Sequence, residues 1–187
     1  MMNQLLKRPG FSFVAVLAAV IVAGCDNRPG ETAQQQPTPA TAAVDALPSA
    51  LALPDAPPGA KDVLAVKKDA KEGDAVVIRG RVGGSKSPFV DGRASFQLVD
   101  RSLKACGEGT AMDECKTPWD YCCSEAKEVA AHSATVQVVG ADGRPLHAGL
   151  SGFAGLKPLS DVTVTGTVAK AGQTGTLVVN ATGIHAN

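Results

Sequence analysis

The stretch Val162-Thr163-Val164-Thr165-Gly166-Thr167-Val168 constrains the fold more than any other, because its valines and threonines alternate strictly. Alternation with a period of two places apolar residues on one face and polar ones on the other, the mark of a half-buried strand. Ala75 to Val82 repeats it, with Val76, Ile78, Gly80 and Val82 inward and Arg79 and Arg81 outward. Arg93 to Asp100 follows, with Ala94, Phe96 and Leu98 inward and Ser95 and Gln97 outward. Thr135 to Val139 and Thr176 to Ile184 complete five strands, the last two joined through Gly172 and Gly175 as a hairpin. A helix is expected over Lys61 to Lys71, its apolar residues Val63, Leu64 and Val66, ending at Gly73-Asp74.

Five such strands, the first with a central glycine that permits strong bending, suit a small closed barrel, since closure removes edges that invite aggregation. An immunoglobulin-like sandwich would need about seven strands. The strand order and the entry Gly73-Asp74-Ala75-Val76-Val77-Ile78-Arg79-Gly80-Arg81-Val82 resemble the OB-fold, particularly the bacterial exported OB-fold and transfer-RNA anticodon-binding-like groups. The resemblance implies an all-β, five-stranded OB-like barrel over about residues 60–187, with an insertion between strands two and three. It departs from the pattern between strands three and four. There the usual helix is reduced to Leu146 to Leu159, where Gly149, Gly152, Gly155 and Pro158 allow a turn or two.

Ahead of the barrel, Lys7 and Arg8 precede the apolar run Phe11 to Ala23. That run is shorter than the roughly 20 residues of a membrane span and has the layout of a secretory signal. Val22-Ala23-Gly24-Cys25 resembles the lipobox of bacterial lipoproteins. The resemblance implies a signal peptide over residues 1–24 and lipidation of Cys25, whose thiol receives diacylglycerol. Asp26 resembles a signal for inner-membrane retention. Residues 26 to 59 are rich in Pro, Ala, Gln and Thr, and such a segment buries too little apolar surface to offset its ordering entropy. Residues 25–59 are therefore expected to be a disordered tether.

The chain has 18 basic and 18 acidic residues, and losing Lys7 and Arg8 leaves 16 basic ones against the same 18 acids. A nucleic-acid binder usually shows a basic excess or stripe. The expected outward face of Arg79, Arg81, Ser95, Gln97, Thr135, Gln137, Thr163, Thr165 and Thr167 also lacks the aromatic rings on which bases stack. No nucleic acid is expected as partner; an envelope protein or a glycan suits that face better.

The insertion holds the chain's densest chemistry. Cys106, Cys115, Cys122 and Cys123 are the four cysteines outside the signal region, and Trp119 and Tyr121 are the only Trp and the only Tyr. An even count in an exported chain reads first as two disulfides. Adjacent cysteines seldom bridge each other, so Cys106 and Cys115 would pair separately with Cys122 and Cys123, in either of two connectivities. A rival is Zn²⁺ or Cu⁺ bound by the thiolates, with Met112 and His132 as auxiliary ligands. Against it stand the spacing, unlike that of zinc ribbons, and the awkwardness of adjacent cysteines as two ligands of one tetrahedral ion. Redox-active thiols are a third reading, without a Cys-x-x-Cys pair to support it. Trp119 and Tyr121 either bury a ring at the barrel mouth, at the start of a short helix Asp120 to Ala131, or form a recognition surface.

His132, His147 and His185 stand isolated from any patterned nucleophile, and neither Gly-x-Ser-x-Gly nor His-Glu-x-x-His occurs. The expectation is therefore a membrane-anchored lipoprotein facing the periplasm or exterior, with a non-catalytic binding or envelope-structural barrel and no cofactor. The alternative is a metal-handling or thiol redox protein acting through the Cys106–Cys123 loop.

Overall fold

A computed structural model describes residues 43–109, 115–172 and 175–187. The strands are β1 (Lys61–Asp62), β2 (Ala75–Val82), β3 (Ser95–Val99), β4 (Ser133–Gln137), β5 (Asp161–Ala171) and β6 (Leu177–Ala186). Two α-helices, α1 (Val63–Asp69) and α2 (Ala126–Ala131), accompany them. The sheet runs β2-β3-β4-β6-β5 and closes by pairing β5 with β2, giving the five-stranded OB-like barrel. The β4–β6 pair is parallel, and the other four barrel pairings are antiparallel.

Pattern and register agree. Val164 lies opposite Ile78 on one side and Ile184 on the other, and all three are fully buried. Phe96, Leu98, Val136, Val162, Val168 and Val179 join them in one core. At two glycines the strands approach closely. A Cβ on Gly166 would collide with the carbonyl of Asn180, and one on Gly80 would sit 2.6 Å from the Val99 carbonyl oxygen. At both positions glycine is required by space, since the neighbour that blocks a side chain is rigid backbone.

Helix α1 adds Val63 and Val66 to the core and is shorter than expected. Asp100, itself buried, accepts the Leu64 N–H at 2.7 Å. Lys67 Nζ donates to the carbonyls of Ala130, Ala131 and Ser133 at 2.7 to 2.9 Å, which satisfies the last two carbonyls of α2 and ties them to the first residue of β4. Its desolvation pulls the Lys67 pKa below the usual lysine range.

Three expectations are corrected. Ser95 and Thr163, placed on the outward face, are buried. Ser95 Oγ donates to the Val136 carbonyl, and Thr163 pairs with His185, beside which the Leu53 carbonyl lies 3.1 Å from the His185 Nδ1. The tether does not extend to residue 59, because Leu51 is buried in the barrel core and Leu53 N–H donates to the Ile184 carbonyl at 2.8 Å. Asp45 also accepts the His147 N–H. The helix Asp120 to Ala131 is broken into a 3₁₀ turn, Pro118–Asp120, and α2. Tyr121 between them adopts a left-handed conformation, φ 56°, which ends a right-handed turn. Cys25, the leader and Met112 lie outside the described residues.

Candidate functional site

Between β3 and β4 the chain builds a second, smaller core from Val99, Leu103, Ala105, Tyr121 and Val129, with Leu159 packed against it. Contacts with the end of β2 and the glycines after it hold this insertion to the barrel. Arg81, on the outer face of β2, donates to Glu108 at 2.7 Å, and Glu108 also accepts the Ala105 N–H. The Gly84 N–H donates to the Trp119 carbonyl at 2.8 Å. At Gly83 an added Cβ would lie 2.8 Å from both that oxygen and the Tyr121 ring. Gly83-Gly84 is therefore the seat of the loop.

On that seat the cysteines converge. Cys106 Sγ lies 3.5 Å from Cys122 Sγ, which lies 3.8 Å from Cys115 Sγ. Among the described residues no disulfide is formed, and the four cysteines of the loop gather in one cluster. Cys122 sits close to both upstream partners, so the geometry selects neither of the two connectivities. An Asp120 carboxylate oxygen completes a set in which the three Sγ atoms and that oxygen all lie within 4.8 Å of one another. Cys123 is outside that set, and its N–H donates to Cys106 Sγ at 3.2 Å.

Asp120 is fixed from two sides. Its Oδ2 accepts the Thr117 hydroxyl and its Oδ1 the Cys122 N–H, each at 2.8 Å. Burial opposes ionisation of Asp120, but these hydrogen bonds outweigh it and hold the carboxyl below its usual range. Burial likewise opposes a thiolate at Cys106, and hydrogen bonds from the Cys123 thiol and N–H and from the Cys122 and Cys115 thiols draw its pKa down. The thiols of Cys122 and Cys123 are pushed up, chiefly by their hydrogen bonds to Cys106.

No protein-family model and no curated protein matches this chain. The site therefore rests on its own geometry.

The two aromatics part company. Tyr121 is 1% exposed, so the reading of Trp119 and Tyr121 as a joint recognition surface is corrected at Tyr121, whose ring is the centre of the small core. Burial raises its pKa. Trp119 is half-buried, and its indole N–H donates to the Lys86 carbonyl at 3.1 Å. An open cleft of about 480 Å³ flanks the cluster, lined by Arg81, Cys106, Glu108, Cys115, Pro118 and Leu159. His132, considered as an auxiliary ligand, has its Nδ1 against the Glu128 carbonyl at 2.9 Å and is not in the donor set. Arg81, Gly83, Gly84 and Glu108 were not legible as site residues. Glycines before a loop look like an ordinary turn, and an arginine on an outward strand position looks like solvent.

Proposed function

We propose that this chain is a lipid-anchored protein of the bacterial cell envelope, held by Cys25, whose OB-like barrel is a non-catalytic binding module. The observation that carries the reading is the docking of a thiol-bearing loop on a closed barrel. The barrel supplies a rigid base, while Cys122, Cys123 and part of Trp119 stay accessible at the loop. A rigid base with a chemically distinct loop is how folds of this kind host binding sites. The leader Lys7 to Cys25 supports the anchor, and the near-neutral mature chain supports an envelope protein or a glycan over nucleic acid as macromolecular partner.

Two measurements test it. Cys25→Ser removes the acylated sulfur and abolishes incorporation of labelled palmitate, with the precursor left uncleaved; continued labelling overturns the anchor. Affinity capture from envelope extracts, with the full chain as bait, is expected to recover a partner that competes with alkylation of Cys122. Capture that is unchanged when the loop thiols are blocked overturns the loop as the binding element.

A further inference from the structure

We propose that Cys106, Cys115 and Cys122, with the Asp120 carboxylate as fourth donor, bind one Zn²⁺ ion per chain, so that the loop is a metal centre. The inference rests on reading the loop as the binding element of the barrel. Zn–S bonds of about 2.3 Å in a tetrahedron place two sulfurs roughly 3.8 Å apart. The observed separations of 3.5 and 3.8 Å are the edges of such a polyhedron, and the carboxylate oxygen lies within the same 4.8 Å.

The two sequence arguments against a metal are answered by the geometry. Adjacent cysteines need not both ligate, because only Cys122 belongs to the set. Cys123 instead gives its N–H to Cys106 Sγ, an outer hydrogen bond of the kind that orients and tunes a ligand. The unusual spacing is absorbed by the fold. The turn Pro118–Asp120 and the left-handed Tyr121 bring Cys122 back beside Cys106, whose N–H donates to the Pro118 carbonyl.

The donor chemistry favours zinc over softer ions. Three thiolates alone would suit Cu⁺, whereas a carboxylate oxygen is a normal zinc ligand and a poor one for Cu⁺. Both oxygens of Asp120 already accept one hydrogen bond. Each carboxylate oxygen has a second lone pair, so Thr117 and the Cys122 N–H orient the ligand without consuming it. Ligation requires thiolates, so binding of the ion releases their protons. The cleft beside Cys106 and Cys115 gives the ion a route from solvent.

The test uses the full chain purified in detergent under anaerobic reducing conditions. Titration with Co²⁺ is expected to saturate at one ion per chain, with intense sulfur-to-cobalt charge-transfer absorption and tetrahedral d–d bands, both erased by Zn²⁺. Cys122→Ser, at an exposed position with no packing role, is expected to weaken Co²⁺ binding more than about 100-fold, beyond the usual cost of losing an outer-shell partner. Cys106→Ser has the same expected effect, with far-ultraviolet circular dichroism reporting whether the barrel is intact. Cys123→Ser keeps its N–H and is expected to change affinity less than tenfold. A reduced, folded chain that binds neither Co²⁺ nor Zn²⁺ overturns the proposal, as does binding of Cu⁺ alone. So does a metal-free chain, isolated from cells without reductant, that is four hydrogens lighter, which is the mass of two disulfides. None of these results bears on palmitate labelling of Cys25, so the anchor stands or falls separately.

Discussion

The barrel and the cysteine loop are held together by different kinds of information. In the barrel, the same instruction is written many times: Val162, Val164, Ile78, Phe96, Leu98 and Ile184 each repeat that one face goes inward, and each is buried. In the loop, each attachment occurs once. Glu108 meets Arg81, the Trp119 carbonyl meets Gly84, and the Tyr121 ring fills a core of five residues. A redundant pattern tolerates the loss of a surface residue but not the inversion of a face. A set of single contacts fails one contact at a time, and locally.

The largest effect is expected from inverting the face. Val164→Asp places a carboxylate between Ile78 and Ile184, within an apolar core of the described residues. Burying an unpaired charge costs several kcal/mol, a large part of ordinary domain stability. Thr165→Asp, one residue on and partly exposed, is expected to melt within a few degrees of the parent. Equal melting temperatures for the two variants would show that the pattern does not govern the barrel, and the contrast with the loop would collapse.

The same contrast explains what could be read in advance. The five strands were legible because alternation is a local signal that survives without knowledge of neighbours. Ser95 and Thr163 were misplaced because polar type and outward position usually coincide, and only the fold shows the Val136 carbonyl waiting for Ser95. The tether was drawn too long because Pro and Ala composition outweighed Leu51, a single residue whose pocket is made by distant strands. At the site, the cysteines and Trp119 were legible from their rarity. Their meeting was not, because it depends on the left-handed turn at Tyr121 and on Gly83, whose role is to leave room.

Gly83→Ala sharpens the comparison at intermediate size. The new methyl would face the Trp119 carbonyl and the Tyr121 ring at 2.8 Å, so the loop must shift. Overpacking of this kind costs about 1–3 kcal/mol. Trp119 is the only tryptophan, so its fluorescence reports the loop alone while far-ultraviolet circular dichroism reports the strands. A changed emission with an unchanged strand signal is expected. Loss of both together would mean that loop and barrel fold as one unit.

The smallest effect belongs to the hydroxyl of Tyr121, and its sign is informative. The ring packs against Val99, Leu103, Ala105 and Val129, yet the hydroxyl oxygen is buried with no hydrogen-bond partner among the described residues. A buried polar group without a partner carries its full desolvation cost, so removing it along with its polarity is neutral or stabilising. Tyr121→Phe keeps the ring and is expected to leave stability unchanged or raise it by up to about 1 kcal/mol. Tyr121→Ala, which empties the small core, is expected to cost about 3–5 kcal/mol, read as early loss of the Trp119 signal in urea. Should Tyr121→Phe destabilise the loop by more than about 1 kcal/mol, the hydroxyl is bonded in solution. Arg81, whose charge acts on the phenol, would be the first candidate. The loop would then share a polar network with the face of β2, and its independence from the barrel would be smaller than the packing alone implies.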